Sequence, residues 1–344
     1  MAEALTVLGP IPARELGVTI THEHLLIDFR CRYTGSPESE AIGEPFDPRD
    51  RWRLVREPAA FEANLLRRDL DAACDEVNSY KRAGGSTIVD ATTEGLGPDA
   101  NALRRIAERT GAHIIASSGI YVHRSHADRV HRSTVGELAD QMIRDIVNPA
   151  DGIPRGFIGE IGVDGPAPCE LKVVRAAAVA QRQTGAPVSL HLLAGVLPEA
   201  RAGALEAIDT YIKAGGDPEM LIAGHHDGSG DDPEYQDRIL DRGITLEYDT
   251  FGFESVFARE GRFVQLPTDS RRVTEVADLW QRGWGSQVVL SQDVCYRMMT
   301  REWGGWGIAH ILDSMKPRFA AAGIGESELR VMMVDTPARL LAFA

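Results

Sequence analysis

The stretch LGVTITHEHLL, residues 16–26, gives the first indication of the fold, because a short apolar run is followed there by two histidines. Residues 18–21 are typical of a buried strand, and His22 and His24 follow two positions apart. Side chains at i and i+2 of an extended strand point to the same side. At the carboxyl end of a strand, the two imidazoles can therefore coordinate one metal ion together.

Seven further apolar runs lie along the chain, and several, such as IIA, LIA and VVL, are continuous rather than alternating. Such runs are typical of strands that are buried on both faces of a parallel sheet. The eight predicted strands are residues 18–21, 87–91, 113–117, 156–160, 188–191, 221–223, 244–248 and 288–290. The predicted helices are residues 61–83, 98–109, 135–147, 170–184, 199–214, 233–242, 270–282, 305–322 and 327–343.

This alternation of strands and helices favours a closed barrel or a doubly wound sheet. No GxGxxG motif follows the first strand and no Walker pattern occurs, which disfavours the nucleotide-binding sheets. We therefore predict an α/β protein, a (β/α)8 TIM barrel that forms one domain over residues 1–344. Two long connections, 28–60 and 251–269, would leave the carboxyl ends of strands, where barrel enzymes place their active-site loops.

The charge balance is acidic, with a formal net charge of −14 and an isoelectric point of about 5.2. It offers no basic stripe for a nucleic acid, and no run approaches the ~18 apolar residues of a membrane span. The amino-terminal residues lack a secretory pattern, so we expect a cytoplasmic protein without a membrane partner. Four scattered cysteines without a CxxC pair are expected to be free thiols: Cys31, Cys74, Cys169 and Cys295.

Further side chains of the metal-binding type stand at the ends of other predicted strands. With the two histidines of the first strand, the set is His22, His24, Glu160, His191, His225 and Asp293. The carboxyl ends of barrel strands converge on one face, so these side chains should share a pocket. Imidazole and carboxylate suit zinc, manganese, cobalt or iron, and six ligands fit two ions bridged by a carboxylate. The sequence thus predicts a binuclear centre, with zinc as the first choice.

The sequence resembles the phosphotriesterase family of the amidohydrolase superfamily nearly from end to end. The similarity is carried by LGVTITHEHLL (16–26), DATT (90–93), GIY (119–121), GFIGEIG (156–162), GHHD (224–227), VVLSQD (288–293) and DTPARLL (335–341). The resemblance implies that the more buried ion is held by His22, His24 and Asp293. It implies that the more exposed ion is held by His191 and His225, and that the protein is a homodimer.

The bridging position departs from the phosphotriesterases proper. They use a carbamylated lysine there, whereas this sequence has Glu160, as in a branch whose activities lean to carboxyl esters and amides. They also have a histidine after the acid that ends the seventh strand, whereas Asp249 is followed here by Thr250 and Phe251. Efficient phosphotriester hydrolysis is therefore not expected.

Candidate substrate contacts are less specific. Tyr121 matches a family position that touches substrate in lactonases, and aromatic residues on the last two loops can form an apolar pocket or pack the loops together. Those aromatic residues are Phe251, Phe253, Trp303 and Trp306. Asp227 is a candidate partner for the ligand His225. Three further histidines after the third strand, His123, His126 and His131, are interpreted as surface or loop residues.

The leading hypothesis is a metal-dependent hydrolase in which a metal-bridging hydroxide attacks the carbonyl of a carboxylic ester or lactone. Asp293 would accept the proton of the attacking water. The alternative is amide hydrolysis of a small N-acyl compound, with phosphotriester hydrolysis as a weak side activity. A metal-containing ligand-binding protein is the alternative outside enzymes.

Overall fold

The computed structural model describes residues 2–35, 46–259 and 262–343. Its strands are β1 (Glu3–Thr6), β2 (Gly9–Pro12), β3 (Thr19–Glu23), β4 (Ile27–Asp28), β5 (Leu66–Arg67), β6 (Thr87–Asp90), β7 (His113–Ser118), β8 (Arg155–Val163), β9 (Val188–Leu192), β10 (Leu221–Ala223), β11 (Thr245–Tyr248), β12 (Val256–Arg259), β13 (Arg262–Gln265) and β14 (Val288–Leu290).

The α-helices are α1 (Arg51–Arg56), α2 (Leu70–Arg82), α3 (Ala100–Thr110), α4 (Asp128–Arg132), α5 (Val135–Val147), α6 (Pro168–Thr184), α7 (Arg201–Lys213), α8 (Pro233–Leu240), α9 (Asp269–Gln281), α10 (Lys316–Ala321), α11 (Glu326–Arg330) and α12 (Thr336–Leu341). Two π-helical segments, Ile311–Met315 and Val331–Asp335, precede α10 and α12. Within the described ranges, no helix combines the length and the apolar character that a membrane crossing requires.

Eight parallel strands form one sheet in the order β3-β6-β7-β8-β9-β10-β11-β14. The first and last of these strands meet through Ser291, whose hydroxyl accepts from His22 N at 3.2 Å and donates to His22 O at 2.7 Å. Asp293 N also donates to His22 O at 3.3 Å. These bonds bring the two edges of the sheet together, and the predicted (β/α)8 barrel is confirmed.

The amino-terminal end of the barrel is plugged by the β1–β2 hairpin and α12. A separate buried cluster joins strand residues such as Val89, Phe157 and Val289 to Ala4 of the hairpin and Leu340 of α12. Burying these side chains stabilises the closed end by about 25 cal/mol for each Å² of apolar surface removed from water. The opposite end, where the strands finish, is left for polar side chains.

Helix ends follow local capping chemistry. In α5, Thr134 accepts from Glu137 N, and the Glu137 carboxylate accepts in return from Thr134 N, which makes a capping box. The longest helix, α6, ends at Gly185, whose φ of 80° is accessible to glycine at little cost. These signals explain why the predicted bounds of α5 and α6 agree closely with the structure.

Two predicted helices begin several residues later in the structure. The predicted helix over residues 61–83 begins only at Leu70, because the Asp69 carboxylate caps it by accepting from Asp71 N and Ala72 N. The upstream part instead forms a 3-10 turn, Glu62–Leu65, and the short strand β5, which pairs with β4. The predicted helix over 305–322 begins late as well, in the π-helical segment Ile311–Met315.

The long connections also acquire structure of their own. The connection 251–269 contains the antiparallel hairpin β12–β13, and the connection 28–60 contains α1. Residues 36–45 of the latter lie outside the described residues. Strand β8 is longer than predicted and runs past Glu160 to Val163, so that Glu160 projects from within the strand rather than from its end.

Candidate metal centre

The six predicted metal ligands converge at the carboxyl ends of the barrel strands. Glu160 lies at the centre: its Oε2 is 3.6 Å from His22 Nε2, 3.5 Å from His225 Nε2 and 2.7 Å from His191 Nδ1. Its Oε1 is 3.5 Å from His24 Nε2. One carboxylate therefore faces four imidazoles, three of them through Oε2 and one through Oε1.

Asp293 completes the group from the loop after β14. Its Oδ1 lies 3.3 Å from His24 Nε2, and His22, His24 and Asp293 can present one ligand atom each within 4.8 Å of one another. Asp293 Oδ1 and His22 Nε2 are buried without a hydrogen-bond partner. Buried polar atoms without partners are costly and rare, so these two atoms fit ligands of a metal ion. The donor set as a whole fits two divalent ions.

Three of the imidazoles are oriented by a hydrogen bond on the ring nitrogen that points away from the centre. His22 Nδ1 lies 3.3 Å from Glu247 Oε2, and His225 Nδ1 lies 2.8 Å from Asp249 Oδ1. His24 Nδ1 donates to the Thr92 hydroxyl at 2.9 Å, which itself donates to a backbone carbonyl. Such outer bonds fix the tautomer and leave each Nε2 free to bind metal.

The fourth imidazole is held differently. His191 turns Nδ1 to Glu160, and its Nε2 faces Arg32 Nη2 at 3.1 Å and Asp164 Oδ1 at 3.7 Å. Arg32 is buried and donates to both oxygens of Asp164, at 2.6 and 2.8 Å. The same guanidinium donates to the Tyr121 hydroxyl at 2.7 Å. Arg32 and Asp164 therefore form one wall of the site, and the sequence did not single them out.

The carboxylates set the protonation of the imidazoles when no cation is bound. Burial alone would lower the pKa of His22, but Glu247, Glu160 and Asp249 outweigh it and raise this pKa to about 10. In the same way, burial is outweighed by Asp293 and Glu160, which raise the pKa of His24 to about 9. The pocket is thus arranged to hold positive charge, and a bound metal ion would displace these protons.

Backbone strain is concentrated at two of the ligands. His225 has a φ of 55° and Asp293 a φ of 45°, and within the described ranges no other residue besides glycine has a positive φ. Residues other than glycine seldom adopt this region, although asparagine, aspartate and histidine do so more readily than the rest, and such strain persists where the surrounding structure enforces it. Glu23 supplies part of that enforcement, because its carboxylate accepts from Gln292 N and Val294 N on either side of Asp293.

A chain of buried charges supports His225. Asp249 binds both the ring and the backbone N of His225, and burial raises the pKa of Asp249 to about 7. Asp227 accepts from Asp249 N at 3.0 Å and from Arg272 Nε at 2.8 Å. Asp227 therefore acts one step further from the metal site than predicted. From the sequence, Asp249 was noted only as the acid that ends the seventh strand and Glu247 was missed, although two acids at i and i+2 at the end of a buried strand were a usable signal.

The pocket above the centre is lined by apolar and aromatic side chains together with the polar wall. The lining residues include Phe29, Arg32, Tyr121, His191, Leu193, Val196, His225, Phe253, Leu266, Asp293, Cys295 and Tyr296. Of the candidate substrate contacts, Tyr121 and Phe253 lie in this lining. Phe251 instead packs against Phe319 with ring centroids 5.6 Å apart, and Trp303 stacks on Phe46 at 4.3 Å.

Several known proteins are similar to this chain over nearly its whole length. An N-acetyltaurine hydrolase from Salmo salar is 35% identical, over 98% of this chain and 97% of that protein. The crystal structure of a resiniferatoxin-binding protein from Rhodobacter sphaeroides is 33% identical with a TM-score of 0.93, and the match covers 99% of this chain and 95% of that one. A mutant of a phosphotriesterase-like lactonase from Deinococcus radiodurans is 26% identical with a TM-score of 0.75, over 99% and 100% of the two chains. The sequence model of the phosphotriesterase family matches residues 2–341. The chain belongs to that family, whose proteins bind a pair of divalent metal ions.

Proposed function

We propose that this protein hydrolyses the amide bond of a small N-acyl compound, using two divalent metal ions. A metal-dependent hydrolase is supported by the family and by the six converging ligands. The observation that carries the choice of bond is the full-length similarity to N-acetyltaurine hydrolases, whose substrate is an amide. Esters and lactones were the first hypothesis from the sequence and amides the second, and the relatives favour amides.

When bound, two divalent ions make hydroxide available near neutral pH and polarise the carbonyl oxygen of the substrate. The chain itself must move the proton. Asp293, whose Oδ1 is buried and has no hydrogen-bond partner, can accept the proton of the attacking water. An amine leaves only after its nitrogen is protonated, and the same carboxyl group can deliver that proton. Phe29, Phe253 and Tyr296 line the pocket and give it an apolar side.

The wall of the pocket formed by Arg32 suits a substrate that has an anionic group on the amine side of its amide bond. Arg32 is buried beside His191, and Asp164 and Tyr121 hold its guanidinium in place. N-acetyltaurine has a sulfonate on the amine side of its amide bond, and a guanidinium attracts such an anionic group, although Asp164 already accepts from the paired N–H donors of Arg32. We infer that Arg32 draws the anionic end of the substrate to this wall while the small acyl group occupies the apolar side.

The test is a hydrolysis panel on metal-loaded protein, read as release of free amine or acid. It contains N-acetyltaurine, a neutral N-acetyl amine of similar length, a γ-lactone, an aryl ester and paraoxon. We expect N-acetyltaurine to have the highest kcat/KM, and Arg32→Met to raise KM for it by more than for the neutral amide. A preference for lactones or esters would overturn the amide assignment.

Lactone hydrolysis is the second candidate, supported by the similarity to a phosphotriesterase-like lactonase. The similarity to a resiniferatoxin-binding protein supports the alternative outside enzymes. In that case the apolar pocket would serve ligand binding alone. The panel separates the three, because a binding protein would hydrolyse none of these compounds at any metal loading. Zinc as the natural ion, a homodimer and a cytoplasmic location stay predictions.

A further inference from the structure

A second group of metal-binding side chains lies outside the barrel mouth. We call it the outer cluster, and its members are His123, His126, His131 and Cys169. The three histidines follow β7, in a 3-10 turn, in the residue after it and in α4, while the cysteine lies in the first turn of α6. One ligand atom of each residue lies within 4.8 Å of the others.

The three imidazole rings surround a common point. Their centroids are 5.9 Å apart for His123 and His126, 5.7 Å for His123 and His131, and 5.7 Å for His126 and His131. Cys169 Sγ lies 3.0 Å from His123 Nδ1. Three nitrogens and one sulfur, with no carboxylate among them, make the number and type of ligands that zinc binds in closed tetrahedral sites.

His126 carries the strongest indication of a ligand. Its Nε2 donates to the Tyr121 carbonyl at 2.8 Å, so the proton is fixed on that nitrogen and Nδ1 keeps its lone pair. Nδ1 is buried and has no hydrogen-bond partner. A histidine that bonds a backbone carbonyl through one nitrogen and turns the other inward is typical of metal sites. A merely solvated histidine would keep both nitrogens in contact with water or a partner.

The frame around the outer cluster is already rigid. Lys172 in α6 donates to the carbonyls of Val130, His131 and Ser133 at 2.6, 3.0 and 2.8 Å. The Glu170 carboxylate accepts from His123 N at 3.0 Å on one side and from Asp164 N on the other. These bonds hold α4 and the start of α6 in place, so that a cation would enter a site that needs little rearrangement.

We propose that the outer cluster binds one divalent ion of the zinc type through His123, His126, His131 and Cys169. The ion ties the loop after β7 to α6. Tyr121 lies on that loop, two residues before His123, and its hydroxyl accepts from Arg32 in the pocket. The ion therefore has a structural role, which is to hold the loop that carries one side of the pocket, and it takes no part in hydrolysis.

The experiment uses cobalt(II) added to the full chain after a chelator has removed all metal. Cobalt bound to a thiolate at a tetrahedral site absorbs in the near ultraviolet and strongly in the visible, and the ligands proposed for the central site include no sulfur. We expect the native protein to show the thiolate absorption. We expect Cys169→Ser and His126→Ala each to lose it together with one equivalent of bound cobalt, while circular dichroism stays native.

The matched control is Cys74→Ser, which removes a buried thiol from α2 and should leave the absorption and the bound cobalt unchanged. Native protein without the thiolate absorption would overturn the proposal, and so would a Cys169→Ser variant with an unchanged cobalt content. Glu160→Gln separates this result from the proposed function, because that variant should lose cobalt only at the barrel mouth and keep the thiolate absorption.

Discussion

The central site and the outer cluster use the same imidazole ligand in two different settings. In the central site, the four imidazoles are buried and share the pocket with Glu160, Asp293 and the supporting acids Glu247 and Asp249. In the outer cluster, two of the three imidazoles are exposed, and the fourth ligand is a thiol rather than a carboxylate.

The difference shows what each arrangement suits. Carboxylate ligands can bridge two ions and can also accept a proton, and an open coordination position leaves room for substrate. A cysteine with three histidines fills all four positions of a tetrahedral ion and leaves none for chemistry. The contrast predicts that changes at the central site alter catalysis and metal content, whereas changes at the outer cluster alter metal content and loop order only.

Glu160→Gln should have the largest effect. The variant keeps the size of the side chain but removes the charge that faces four imidazoles. We expect loss of the central ions by elemental analysis and loss of measurable hydrolysis, with circular dichroism unchanged. Glu234→Gln on the exposed face of α8 is the control and should keep both. Native metal content in Glu160→Gln would contradict the bridging assignment.

Asp293→Asn should have the next largest effect. The amide can still approach a cation through its oxygen, but it cannot accept the proton of the attacking water. We expect kcat to fall by about 10²–10⁴-fold, the usual contribution of general acid–base catalysis, with a smaller change in KM. Steady-state kinetics at matched metal loading decides the outcome. A kcat within a few-fold of the native value would remove Asp293 from the proton transfer.

The sequence predicted the fold and the converging ligands for one physical reason. In a parallel barrel the strand ends share one face, so that residues such as His22 and Asp293, far apart in sequence, can be assigned to one site from strand positions alone. No comparable rule predicts from sequence which loop residues reach the pocket. Arg32 and Tyr296 enter the pocket from connections whose course depends on tertiary packing, and Cys169 meets the histidines of the outer cluster only because α6 begins beside the loop after β7.

Asp249→Asn should have an intermediate effect, because Asp249 touches His225 rather than substrate. Its carboxylate accepts from the ring and from the backbone N of His225, which has a positive φ. We expect metal affinity to fall by about 10–100-fold, as is usual when a partner of a ligating histidine is removed. Competition with a chromogenic chelator measures this change. Asp241→Asn, in the exposed C-cap residue of α8, should leave the affinity unchanged, and an equal loss in both variants would point to a general effect of charge.

The smallest predicted effect is the pH dependence of the metal-free protein. His22 and His24 have pKa values raised to about 10 and about 9, against an ordinary value of 6.5, so they bind protons more tightly in the folded state. Their contribution to stability is complete below about pH 6.5 and is lost as the pH rises through about 9 and 10. Asp249, with a pKa raised to about 7, acts in the same direction, and its contribution is lost as the pH rises through that value.

The melting temperature of chelator-treated protein should therefore fall as the pH is raised from about 6.5 to about 9, over the interval set by these pKa values. Added metal should raise the melting temperature more at the alkaline end, because fewer protons must be displaced from the central imidazoles. Cys169→Ser should retain the slope, since the outer cluster contains no carboxylate, whereas His24→Gln should flatten it. A melting temperature that stays level or rises over this interval would mean that the central imidazoles are neutral without metal, and the electrostatic contrast between the two sites would be lost.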